Sequence, residues 1–66
     1  MSKGEAVEML KQYLRLVICC LEDGNIRRGR QYASSAVDVA RKMRLGGWLL
    51  LAKAANDALQ KMSEED

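Results

Sequence analysis

Gly24 and the Gly46-Gly47 pair divide a chain that contains no proline into three stretches of helix length. Without proline, no residue inside those stretches lacks a backbone N–H or clashes with the turn before it. The stretches are also rich in Ala, Leu, Lys, Arg, Glu and Met, which lose little on entering a helix. Ser2, with Glu5 three residues on, has the form of a capping box at a helix start. Gly24 suits the left-handed conformation that closes a helix, and Asn25 suits the cap of the next one. The pattern predicts helices over about 3–23, 26–44 and 48–62. Gly46-Gly47 is expected to break the second from the third, and 63–66 to form a frayed acidic tail. Connections this short force neighbouring helices antiparallel, so the expected fold is all-α: one helical domain over 1–62, a three-helix antiparallel bundle in which a hairpin is covered by the third helix.

Each helix offers an apolar face at about 100° per residue. In the second, Gly29, Ala33, Ala36 and Ala40 lie along the middle of the apolar arc, where small side chains let another helix approach closely. In the third, Trp48, Leu51, Ala52, Ala55, Ala58, Leu59 and Met62 share a stripe expected to face the core, and Leu49 and Leu50 fall outside it. The first helix carries two seams side by side, Val7, Leu10, Leu14, Val17 and Leu21 beside Met9, Tyr13, Leu16 and Cys20. Its apolar arc of roughly 200° is wider than one neighbour covers. Two consequences are open: the first helix is central and touches both others, or part of it faces another chain together with Leu49 and Leu50.

At 66 residues the chain buries a small fraction of its surface, so it needs unusually good packing or a partner to be stable. Disulfides are not expected to help. Cys19 and Cys20 are adjacent on a helix, where neighbouring side chains diverge by about 100° and cannot bridge comfortably. They are expected to be reduced, packed as small apolar residues in a cytoplasmic protein, since the Met1-Ser2-Lys3-Gly4-Glu5 start has no secretory character. The longest uncharged apolar run, from Leu16 to Leu21, is far short of the roughly 20 residues a bilayer requires.

Catalytic chemistry has little to work with. Histidine is absent, which removes the commonest general base, nucleophile partner and metal ligand. Two adjacent cysteines cannot complete a zinc site, and Gly46-Gly47 alone is no phosphate-cradling loop. The expectation is a protein that is not an enzyme, with no cofactor, no metal and no small-molecule substrate. Charge is more informative. Net charge is only +2, yet the second helix gathers Arg27, Arg28, Arg30, Arg41, Lys42 and Arg44 against Asp38 alone. Arginine's planar donors suit phosphates, while cations near a helix C-terminus also simply offset its dipole.

From Gly24 to Met43, a turn glycine is followed by small residues at Gly29 and Ala36 with Tyr32 and Ala33 between them, and in this the chain resembles a tetratricopeptide-type (TPR-like) helical hairpin. It departs from that pattern at Val17, Cys20 and Arg41, and no second copy follows. The resemblance implies a protein-binding or self-associating helical module, with a third helix over the exposed edge. The function expected is therefore a small protein-interaction or assembly module, an adaptor or an inhibitor, acting on a protein partner or as a homo-oligomer. Its interface candidates are Met9, Leu16, Ile18, Trp48, Leu49 and Leu50. The alternative is a nucleic-acid-binding accessory protein using the six cations of the second helix.

Overall fold

The computed structural model describes residues 1–64, and among them three α-helices follow one another with no strand: α1 (Lys3–Asp23), α2 (Ile26–Lys42) and α3 (Gly46–Glu64). The protein is an all-α three-helix bundle, 38 Å along its longest axis. Helix α1 starts where Ser2 Oγ accepts the Glu5 backbone N–H at 3.2 Å. The Glu5 carboxylate accepts the serine hydroxyl itself, at 3.2 Å, in place of the backbone N–H a full capping box would use. At the other end Gly24 lies at φ 76°, its N–H reaching the Leu21 carbonyl while Asn25 N–H reaches that of Cys20 at 2.8 Å. This pair of bonds closes a helix with one left-handed residue, and Asn25 Oδ1 then caps α2 by accepting Arg28 N–H at 3.3 Å.

The second connection departs from expectation. Gly46-Gly47 does not break the chain; both glycines belong to the first turn of α3, which begins two residues earlier than the pattern predicts. The left-handed residue is Arg44, at φ 56°. Its N–H bonds the Arg41 carbonyl and Leu45 N–H bonds that of Ala40 at 2.9 Å, the same closure as at Gly24. Helix α2 thus ends at Lys42, not Arg44. Helix α3 ends at Glu64, so Ser63 and Glu64 of the expected frayed tail are helical; its last two residues lie outside the described ones.

Helix α2, not α1, is the central member. It packs against both neighbours, whereas α1 and α3 meet only marginally. The cause is its run of small buried residues, Gly29, Ala33, Ala36 and Ala40, which lets a helix close in from each side. One core layer joins Leu10 of α1, Ala36, Val37 and Ala40 of α2, and Ala52 of α3, with Trp48, Leu49 and Leu45 packed against it. A second joins Val17, Ala33 and Leu59, flanked by Ile26 and Tyr32. Leu10 shares a layer with Ala52, and Val17 with Leu59, at the same sequence offset, which requires α1 and α3 to run in the same direction. At Gly29 the approach is tight: a Cβ there would stand 3.3 Å from both Cys20 Cβ and Leu59 Cδ2.

Helix α3 is rotated from its expected setting. Its buried residues are Ala52 and Leu59, with Trp48, Leu49, Ala55, Asn56 and Ser63 partly covered, while Leu51, Ala58 and Met62 of the expected core stripe are exposed. In this setting Arg30 of α2 donates from Nη1 to Ser63 Oγ at 3.5 Å, and Asn56 lies at the edge of the polar face of α2, so these two polar residues of α3 are on the side toward α2 and leucines are outside.

Candidate interaction surfaces

Two faces of the bundle differ sharply in chemistry. The first is the side that α2 does not cover. On α1, the flank toward α2 is marked by Tyr13, whose ring centroid is 6.4 Å from that of Tyr32, and by Cys20 beside Gly29. The opposite flank carries Val7, Leu14, Ile18 and Leu21 within about 60° of arc. On α3, the flank toward α2 carries Asn56 and Ser63, and the opposite one carries Leu51, Ala58 and Met62 within about 40°. Because α1 and α3 run in the same direction and barely touch, these two apolar flanks face a common open side. Val7 and Leu14 are half-buried there, while Ile18 is 56% and Leu51 58% exposed, with Leu21 and Met62 also in solvent. Charged residues border this strip: Lys11, Arg15 and Glu22 beyond Ile18 on α1, and Lys53, Asp57 and Lys61 on α3.

The interface candidates named from the sequence do not all reach this side. Ile18 does. Leu16, also exposed, lies on the other flank of α1, about 160° away, next to half-buried Met9. Trp48 and Leu49 are half-buried and pack on the Leu10 layer. Leu50 is the most exposed large apolar residue of the described chain at 72%, and it sits outward of Leu51 at the rim of the strip. Leu21, Leu51 and Met62 were not among the candidates. The signal for Leu21 was the width of the apolar arc on α1, which exceeds what one neighbouring helix covers; Leu51 and Met62 belong to the stripe of α3 expected to face the core.

The second face is the polar outside of α2. Arg27, Arg30, Gln31, Ser34, Ser35 and Asn56 line an open depression of about 540 Å³. A smaller one of about 230 Å³ adjoins it at Arg27 and Gln31 and adds Asn25 and Arg28. Arg41 and Lys42 are exposed in the last turn of α2, and Arg44 in the connection beyond. Asp38 stands between the two groups of cations, so the six do not form one uninterrupted strip.

Among the described residues no three of the Cys, Asp and Glu side chains gather to hold a metal ion, and the sole ion pair is Lys11 with Glu8 at 3.4 Å, exposed within one turn. Cys20 is buried as a small apolar residue; Cys19, expected to share that role, is exposed, and both are free thiols. No helix of the described chain is long and apolar enough to cross a membrane. No family model matches the chain, and neither a curated protein nor a solved structure shows significant similarity to it.

Proposed function

We propose that this chain is a small, non-enzymatic assembly module that associates through the open side of its bundle, between α1 and α3, with a helix of another protein molecule. In the simplest case that molecule is a second copy of itself. The observation that carries this reading is the strip formed by Ile18 and Leu21 of α1 with Leu51 and Met62 of α3, large apolar side chains left in solvent. A protein this small has little stability to spare, and leaving that much apolar surface in water forgoes roughly 25 cal/mol for every Å² a partner would cover. Two parallel helices that meet only marginally also offer a seam on which the apolar face of a third helix can lie. The tetratricopeptide-like character of the α1–α2 hairpin and the free, unbridged cysteines agree with an interaction module working in a reducing cytoplasm.

Light scattering across a concentration series, with a dye that fluoresces on exposed apolar surface as a second reading, tests the proposal. Association that rises with concentration, accompanied by loss of dye binding, supports it. A particle of 7.4 kDa throughout that binds no dye overturns it.

A further inference from the structure

We propose that the trough along the first half of α2 holds the phosphate backbone of a nucleic acid, at a site separate from the open apolar side. The two depressions on this face are continuous through Arg27 and Gln31, and together they run from Asn25 to Ser35, about 15 Å along the helix. Every lining side chain carries a hydrogen-bonding group, and none is apolar or a carboxylate. Such a wall selects an anion rich in acceptor oxygens over an apolar molecule or a cation.

The arginines are placed to need such an anion. Among the described residues no carboxylate lies within ion-pair distance of Arg27, Arg28 or Arg30. They crowd the first turns of α2, the positive end of its dipole, where that helix has no acidic residue. An anion bound between them relieves both repulsions. Arg30 Nη1 reaches Ser63 Oγ on α3 at 3.5 Å, which places the guanidinium at the edge of the trough. Ser34 and Ser35 add hydroxyls and Asn56 an amide, all on rigid helix.

The shape narrows the class of ligand. The trough is shallow and open, unlike the enclosed clefts that hold small molecules. Its length matches about four successive phosphates of one strand. Asp38, one turn beyond Ser34, ends it and sets Arg41, Lys42 and Arg44 apart from the site. No aromatic ring lines it, Tyr32 being packed against Tyr13, so the contacts are to backbone and independent of sequence.

The test is fluorescence anisotropy with labelled 20-nucleotide single-stranded and duplex DNA at 50 and 200 mM salt. Three arginine–phosphate contacts imply that affinity falls roughly 20- to 40-fold over that range. The double variant Arg27→Ala/Arg30→Ala is expected to weaken binding at least about 10-fold and flatten the salt dependence. Arg41→Ala/Lys42→Ala removes the same charge beyond Asp38 and is expected to change binding less than about 3-fold. All four side chains are exposed, so circular dichroism should show both variants folded. Absence of binding to either DNA at 50 mM salt overturns the proposal, as does an equal loss in the two double variants, which would mean attraction to overall charge and no site.

Discussion

The sides of the bundle facing α2 and the side facing away from it are built from the same kinds of residue to opposite effect. Along α2, glycine and alanine bring α1 and α3 in so closely that leucines such as Leu10 and Leu59 are fully enclosed. Between α1 and α3 nothing plays that part, and leucine, isoleucine and methionine remain in water. Burial here is decided by what stands opposite a side chain more than by the side chain's own hydrophobicity. A chain with one helix of small residues can complete two interfaces, and the third stays open.

Substitutions can break or sharpen this contrast. The largest effect is expected on the covered side: Leu59→Ala empties the layer it shares with Val17 and Ala33 and should cost about 2–5 kcal/mol, enough to unfold much of the protein at room temperature by circular dichroism. Gly29→Leu should come next. Its side chain meets Cys20 and Leu59 where even a Cβ is tight, so urea denaturation should show a loss of about 1–3 kcal/mol. Arg44→Gly should move stability the other way, by up to about 1 kcal/mol, because glycine takes the left-handed conformation that arginine adopts at a cost. A higher melting temperature with unchanged association would separate the strength of the bundle from the behaviour of its open side. Leu51→Lys should have the smallest effect on the isolated bundle, within about 0.5 kcal/mol in denaturation at high dilution, since that side chain is largely solvated already.

Much of the fold is legible in the sequence because the relevant signals are local. Ser2, Gly24 and Asn25 each perform the role their chemistry suggests, and the small residues of α2 are buried against its neighbours. Where the reading departs from the structure, the signal is absent or shared. Arg44 takes the left-handed position that two glycines stand close enough to claim, and neither of them is required to be glycine: a Cβ at Gly46 or Gly47 would meet nothing. The setting of α3 brings Asn56 and Ser63 toward the polar rim of α2, which a stripe of apolar residues does not reveal. For the same reason Leu51 and Met62 read as core, and the apolar strip was only partly visible in Ile18 and Leu50. The cations of α2 were legible as a group. That Asn56 of α3 joins the serines beside only the first set emerges once the helices are packed.

Sedimentation equilibrium of the unmodified protein beside Leu51→Lys and Ile18→Lys tests the open side most directly. The unmodified chain is expected to shift from 7.4 kDa toward a multiple of that mass as concentration rises, and both variants to remain at 7.4 kDa while staying helical. Identical masses for all three at every concentration would contradict association through that side.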